Sequence, residues 1–215
     1  MKLPSSLAGL VGFLSLTRRQ DFDADSHAYV DSETGLKFAS YNADRGIAYR
    51  VAIPKEAKTG DSFDAVIQVA APITVGWAGF AWGGSMTYNP LAIVWANGTN
   101  NVVLSSRIAY GYYTPPAYEP ATYEILKTGT HINATHFQVT AKCKGCTRWG
   151  DEEIGFTEID LEYHVTFGFA YGNYPVDAPH DAESSFGIHD SIGHPIFDLE
   201  AARNDDFAAA VAKLA

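Results

Sequence analysis

Cysteine and methionine are both scarce in this sequence, with two of each among 215 residues, and the scarcity excludes several classes of site. The cysteines are Cys143 and Cys146, and no His-Glu-x-x-His motif accompanies them, so the usual tetrahedral zinc sets are missing. The pair is not a c-type haem attachment motif either, because Thr147 stands where that motif requires histidine. Phosphate loops, dinucleotide-binding fingerprints and Gly-x-Ser-x-Gly elbows are also absent. We therefore expect neither a zinc site nor a nucleotide-dependent or serine-hydrolase active site.

Basic residues are few. The chain has 15 Lys and Arg against 25 Asp and Glu, which gives a formal net charge of -10. A surface of this sign disfavours nucleic acid and anionic membranes as partners, and it suits an acidic extracellular medium or a basic docking partner. Beyond the first twenty residues, no apolar run is long enough to span a bilayer. The sequence thus predicts a protein with no nucleic-acid or membrane partner.

The first twenty residues have the character of a leader. Lys2 precedes an apolar run of roughly signal-peptide length, although no clean small-x-small cleavage site follows. We predict a secretory signal or leader over residues 1–20, a single domain over 21–215, and an extracellular location. In a secreted chain Cys143 and Cys146 would form a small local disulfide. The sequons at Asn97 and Asn133 are then candidate glycosylation sites.

Alternation of apolar and polar residues dominates the rest of the chain. Aromatic residues make up 13% of the sequence, and 19 Gly and 10 Pro supply turns. Alternation is clearest over 161–169, whereas Trp77 to Trp82 and Leu91 to Ala96 are continuously apolar, as in strands covered on both faces. We predict an all-β fold, an immunoglobulin-like antiparallel β-sandwich of about nine short strands.

The pattern becomes helical after Phe197. Asp198 to Arg203 has helical composition, and Asn204 is a candidate N-cap for the segment that follows. Phe207, Val211 and Leu214 would share one helical face. The sequence therefore predicts a short C-terminal helix.

Met86 follows a Gly83-Gly84 break within an aromatic neighbourhood, and it is the only methionine besides Met1. Its thioether can fill a gap against aromatic rings or act as a soft ligand to iron. The irregular stretch 172–195 contains His180, His189 and His194, and a loop of this length inside a domain is usually functional. Each of these histidines could equally be an ordinary solvated side chain, so the pattern alone leaves both interpretations open.

Several spaced motifs occur in one order along nearly the whole of residues 21–215. They are Gly79–Met86, Leu91–Gly98, Ser106–Tyr112, Cys143–Trp149, Ser185–His189 and Phe197–Leu199. With these motifs the chain resembles the haem b cytochrome domain of fungal cellobiose dehydrogenases and its free-standing relatives. The resemblance implies a β-sandwich that holds haem b between the axial ligands Met86 and His189.

The resemblance also implies roles for other residues. It implies a tyrosine near a haem propionate, which is Tyr112 here, and a disulfide between Cys143 and Cys146. The chain departs from the family pattern at His194, which places a second imidazole five residues beyond His189. We favour His189 as the ligand because it holds the motif position.

The implied function is extracellular electron transfer by a monomer that is not itself an enzyme. Met/His ligation leaves no open iron position and favours electron transfer over oxygen chemistry. By resemblance, the donor would be a flavin- or quinone-dependent sugar dehydrogenase. The acceptor would be a copper lytic polysaccharide monooxygenase or another one-electron acceptor.

Two other functions remain open from sequence. One is a carbohydrate-binding β-sandwich without haem, in which exposed Tyr113, Tyr118 and Trp149 would stack on sugar rings. The other is a haem sensor or store, which slow reduction would distinguish from an electron carrier.

Overall fold

Seventeen strands, two 3₁₀ turns and one α-helix make up the computed structural model, which describes residues 23–153 and 155–215. The predicted leader over 1–20 lies outside the described residues. The strands are β1 (His27–Val30), β2 (Lys37–Asn42), β3 (Ala48–Pro54), β4 (Ala65–Pro72), β5 (Trp77–Ala81), β6 (Pro90–Asn97), β7 (Asn101–Ile108), β8 (Thr122–Ile125), β9 (His131–Ile132), β10 (His136–Lys144), β11 (Arg148–Asp151), β12 (Gly155–Glu158), β13 (Val165–Thr166), β14 (Gly168–Gly172), β15 (Ser191–Gly193), β16 (Ile196–Phe197) and β17 (Arg203–Asn204). The 3₁₀ turns are Asp44–Gly46 and Leu199–Ala202, and the helix α1 is Phe207–Ala212.

The strands form two main sheets. The larger has the order β1-β2-β3-β4-β10-β8, with β9 paired to β10 and β17 paired to β3. The smaller has the order β15-β14-β5-β6-β7. All pairings are antiparallel except that of β17 with β3. Two short pairs, β11-β12 and β13-β16, complete the pairing. The prediction of an all-β antiparallel sandwich with a short C-terminal helix is confirmed.

The main core lies between the two sheets. Tyr49 of β3 stacks on Phe80 of β5 and on Phe169 of β14, with ring centroids 6.3 Å and 5.4 Å apart. Its hydroxyl donates to the Ala170 carbonyl at 3.0 Å, and burial raises the pKa of this tyrosine well above its ordinary value. Buried aromatic pairs of this kind contribute beyond their area, and the bonded hydroxyl avoids an unsatisfied polar group. Tyr49 therefore fixes the smaller sheet against the larger one.

The strand predicted over 161–169 is wrong in its first half. Residues 161–164 lie in turns, and regular pairing begins only at Val165. The cause is Asp160, whose carboxylate accepts from the Glu162 amide at 2.9 Å and from the Thr59 hydroxyl at 3.1 Å. Such local side-chain bonds compete with a strand ladder, which the alternating pattern does not reveal. The observed strands also exceed the predicted number, because two-residue strands such as β9 and β13 leave no alternating pattern.

The C-terminal segment is helical over a shorter range than predicted. Asp198 caps a 3₁₀ turn, and Asn204 belongs to β17 and is not an N-cap. The Asn204 side chain instead accepts from the Lys37 amide and donates to the Lys37 carbonyl, both at 2.8 Å. This bond pair ties the chain end to β2, a tertiary contact that propensity cannot show. The predicted helical face is confirmed, since Phe207, Val211 and Leu214 are all buried.

Cys143 and Cys146 are joined by a disulfide across the turn between β10 and β11, with Cα atoms 6.0 Å apart. Gly145 in this turn has φ +83°, and a Cβ there would lie 2.2 Å from the Pro120 carbonyl oxygen. The turn therefore needs glycine for both conformation and space. Within the described ranges, no helix is long and apolar enough to cross a membrane.

Candidate functional site

A cavity of about 410 Å³ lies on the outer face of the smaller sheet, away from the main core. Its floor is made of small residues from two neighbouring strands, Gly79 and Ala81 of β5 and Gly168 and Ala170 of β14. Side chains alternate across a sheet, so these positions face outward while Phe80 packs inward. Small residues on this face leave room for a flat group lying against the sheet.

The walls of the cavity are apolar and aromatic. Trp77 and Phe186 meet with ring centroids 4.7 Å apart, and Leu91 and Ile93 of β6 continue this wall. A separate buried cluster on this face of the sheet includes Trp77, Leu91 and Ile93. The cavity is of the size and polarity typical of a site for a small organic ligand or cofactor.

Met86 reaches the cavity from the turn between β5 and β6. It is half-buried and packs against the apolar cluster on the outer face. The chain reverses there because Gly84 adopts φ +80°, where a Cβ would lie 2.9 Å from the Thr166 carbonyl oxygen. The Gly-Gly break read from the sequence thus places the only internal methionine at the edge of the cavity.

Two of the three histidines of the 172–195 loop line the same cavity. His189 is half-buried and makes no hydrogen bond or ion pair to the described part of the chain. His194 is exposed, and its Nδ1 lies 2.6 Å from the Gly84 carbonyl oxygen. Because a carbonyl only accepts, Nδ1 of His194 carries a proton. His180 is exposed and does not line the cavity.

Tyr112 stands at the mouth of the cavity with Tyr113 and Thr114. Its side chain is 92% exposed, and Ile188 on the opposite loop is 86% exposed. The structure therefore brings Met86, His189 and Tyr112 to one cavity from three separate segments of the chain.

Arg107 was not given a role by sequence reasoning, although it joins the two loops that cover the cavity. It is only 2% exposed, and its guanidinium donates to the Pro115, Ala182 and Ser184 carbonyls at 2.6, 2.8 and 2.9 Å. Burial lowers the pKa of Arg107, and the nearby carboxylate of Glu183 partly opposes this. The sequence signal that could have indicated this role is a charged residue within the largely buried strand β7, because a buried charge requires hydrogen-bond partners.

The aromatic residues considered for sugar stacking do not form a platform. Trp149 is 6% exposed, and its indole Nε1 donates to the Tyr88 carbonyl at 3.1 Å. Tyr118 is half-buried, and only Tyr113 is exposed as expected. The expectation that Trp149 is exposed is wrong, because its indole packs beneath the turn that carries Met86.

The chemistry of the cavity fits a haem. It offers an apolar slot over a floor of small residues, a thioether, an imidazole and a tyrosine at the mouth. A thioether and an imidazole are together the axial donors of cytochromes c, which transfer electrons. Among the described residues, no group of three or more His, Cys, Asp and Glu is placed to hold a bare metal ion.

Comparison with known proteins gives a family for the chain. The profile of the family described as the cytochrome domain of cellobiose dehydrogenase matches residues 29–209. A pyrroloquinoline quinone-dependent pyranose dehydrogenase of Coprinopsis cinerea is 29% identical over 204 residues, covering 93% of this chain and 27% of that protein. The chain thus spans about a quarter of the length of this curated relative.

Two solved structures have the same fold. The cytochrome b domain of the Coprinopsis cinerea pyranose dehydrogenase aligns with a TM-score of 0.75 and 25% identity, covering 87% of this chain and 94% of that one. The cytochrome domain of Myriococcum thermophilum cellobiose dehydrogenase aligns with a TM-score of 0.79 and 23% identity, covering 90% of this chain and 98% of that one.

Proposed function

Because this chain belongs to the family of cellobiose dehydrogenase cytochrome domains, we propose that it carries haem b between Met86 and His189 and transfers single electrons between partner proteins. The observation that carries the proposal is the convergence of a thioether, an imidazole and a tyrosine on one apolar cavity. Bound there, the haem would supply the one-electron redox chemistry. The protein would supply the apolar slot, the two axial donors and the loops that frame the slot.

The two axial donors decide the kind of chemistry. When a thioether and an imidazole occupy both axial positions, no iron site remains for oxygen or peroxide, and the potential is raised. His189 is the better candidate for the imidazole, because it is half-buried at the cavity and holds the motif position, whereas His194 is exposed. The bond from His194 Nδ1 to the Gly84 carbonyl leaves its Nε2 open, so the choice between the two rings rests on burial and position. Tyr112, which lines the mouth of the cavity, would donate its hydroxyl to a haem propionate.

Substitution of Met86 tests the proposal directly. Met86→Ala should leave a folded sandwich, because the core between the sheets does not include this side chain. The variant should show an altered Soret and near-infrared spectrum and a lower midpoint potential, since iron loses its soft ligand. Spectroelectrochemical titration measures both quantities. An unchanged spectrum and potential would exclude Met86 as a ligand.

The mouth of the cavity suits a cationic partner. The loops 111–120 and 172–195 contain no Lys or Arg, and they carry five exposed carboxylates, those of Glu119, Asp177, Asp181, Glu183 and Asp190. A cation from outside these loops, Arg45, donates to Asn173 near the start of the second loop. Exposed Tyr112 and Ile188, which line the cavity, provide apolar contact area in the same two acidic loops.

Electron transfer to a basic protein should therefore slow with salt. Between low and physiological ionic strength the rate with a cationic cytochrome c should fall by roughly tenfold, because steering is screened. The rate with anionic ferricyanide should rise. Stopped-flow mixing measures both. At low salt, Glu183→Gln should lower the rate with cytochrome c more than Glu56→Gln does. Glu56→Gln is the control, because it removes the same charge from a site after β3 of the larger sheet. Equal effects of the two variants would contradict docking at the mouth.

We propose the physiological partners from the resemblance to the family and from the relative. A quinone- or flavin-dependent sugar dehydrogenase would donate the electron, and a copper lytic polysaccharide monooxygenase or another one-electron acceptor would receive it. We propose that the protein is a secreted monomer, with glycans at Asn97 and at Asn133, which lies in an exposed turn. A colourless protein retained on cellulose would overturn these proposals in favour of a carbohydrate-binding module. Slow reduction of a coloured one would favour a haem sensor or store.

A further inference from the structure

The turn that carries Met86 is held by a side chain to which no role has been assigned. Asn89 is 9% exposed, and its Nδ2 lies 3.1 Å from the Ser85 carbonyl oxygen, 2.9 Å from the Ser85 hydroxyl and 2.9 Å from the Thr87 carbonyl oxygen. We propose that Asn89 is a positioning residue that fixes the Met86 thioether at the cavity by binding the backbone on both sides of it.

The orientation of the Asn89 amide follows from its partners. Ser85 and Thr87 present carbonyl oxygens, which can only accept, so the amide nitrogen must face them. These two residues are the immediate neighbours of Met86 in the chain. Because the amide is buried, water competes little for these bonds. The side chain thus closes a small ring around the residue that reaches the cavity.

Gly83 provides the space for this amide. A Cβ at Gly83 would lie 1.8 Å from Asn89 Oδ1 and 2.9 Å from Trp149 Cζ2. The Gly-Gly pair therefore has two different functions. Gly84 permits the reversal at φ +80°, and Gly83 admits the Asn89 side chain beneath the turn.

The turn stores backbone strain that the surrounding bonds offset. Tyr88 has φ +61°, an uncommon conformation for a residue with a side chain. Its amide donates to the Ala109 carbonyl at 2.8 Å, and its carbonyl accepts from Trp149. Strained backbone of this kind persists where the surroundings over-determine it, and it concentrates at functional positions.

Positioning matters because methionine is a flexible and weak ligand. Its side chain has three rotatable bonds, so a mobile turn would let the thioether leave the iron. Ordering a mobile turn when the cofactor binds would cost conformational entropy. A backbone that is already fixed before binding avoids this cost. This inference rests on the proposed ligation by Met86, and it adds the residue that makes the ligation persistent.

The experiment compares Asn89→Asp with Asn204→Asp. Asn89→Asp keeps the shape and replaces the donor by an acceptor that faces two carbonyls. Asn204 is a matched control, because its buried amide also donates to two carbonyls, those of Lys37 and Ala202, and it does not line the cavity. Asn89→Ala serves as a second variant without added charge, in case the carboxylate prevents folding.

Two measurements are made on each variant. In the haem-free protein, carbon-13 methyl labelling reports Met86 directly, since Met1 is the only other methionine. In the ferric haem protein, displacement of the thioether by added imidazole is followed through the methionine-to-iron charge-transfer band. We expect Asn89→Asp and Asn89→Ala to shift or broaden the Met86 methyl signal and to speed displacement by roughly tenfold, the factor a lost buried hydrogen bond produces. Asn204→Asp should change neither.

The outcomes separate this inference from the proposed function. Wild-type methyl signals and displacement rates in folded Asn89 variants would overturn the positioning role, as would equal effects of Asn204→Asp. If Met86→Ala also left the spectrum unchanged, the ligation itself would be wrong. If Met86→Ala altered the spectrum while the Asn89 variants did not, only the positioning role would fail.

Discussion

His189→Ala is expected to lose haem almost completely while the sandwich remains folded. His189 is half-buried at the cavity and does not belong to the core between the sheets, so its removal should cost little stability. Losing even an outer partner of a metal ligand lowers affinity by 10–100-fold, so losing the imidazole itself should lower haem affinity by more than about a hundredfold. Titration of apoprotein with haemin, with circular dichroism to follow the fold, measures both effects.

Two controls make this result specific. Added imidazole should restore a six-coordinate spectrum to His189→Ala, because it can occupy the space of the lost ring. His194→Ala should retain haem, since that ring is exposed whereas His189 is half-buried at the cavity. If His194→Ala lost the haem and His189→Ala kept it, the ligand would be His194.

Arg107→Met is expected to destabilise the protein and to release haem below its unfolding temperature. The substitution leaves the buried carbonyls of Pro115 and Ser184 without their donor, whereas the Ala182 carbonyl keeps its bond from the Ser105 hydroxyl. At about 1–3 kcal/mol for each unsatisfied group, the free energy of unfolding should fall by at least about 2 kcal/mol. For a chain of this size that corresponds to a Tm lower by roughly 6 °C.

Haem affinity distinguishes the role of Arg107 from general destabilisation. The bonds to Pro115 and to Ser184 anchor the loops that carry Tyr112 and His189, so both loops should loosen together. Arg50→Met is a suitable control, because Arg50 is a half-buried arginine bonded to Gln68 on the larger sheet. It should lower Tm without changing haem affinity in the folded protein. Equal haem loss in both variants would show that Arg107 has no particular part in the site.

Local sequence patterns are sufficient for much of the fold. The apolar runs that predict β5 and β6 form those strands, because a strand buried on both faces needs apolar side chains at every position. The buried face of Phe207, Val211 and Leu214 follows from helical spacing alone. Where prediction failed, a side-chain bond decided the structure: Asp160 turned the chain before Val165, and Asn204 bound Lys37.

For the site, the sequence by itself determined which residues were candidates: Met86 after its Gly-Gly break, His189 at its motif position and Tyr112 in its loop. Their meeting at one cavity was decided by the tertiary structure, because the three segments are far apart in the chain. The same is true of Arg107 and Asn89, whose roles depend on carbonyl groups that only the folded backbone brings within bonding distance. Backbone carbonyls are present at every residue, so no sequence pattern indicates which of them a buried side chain will bind.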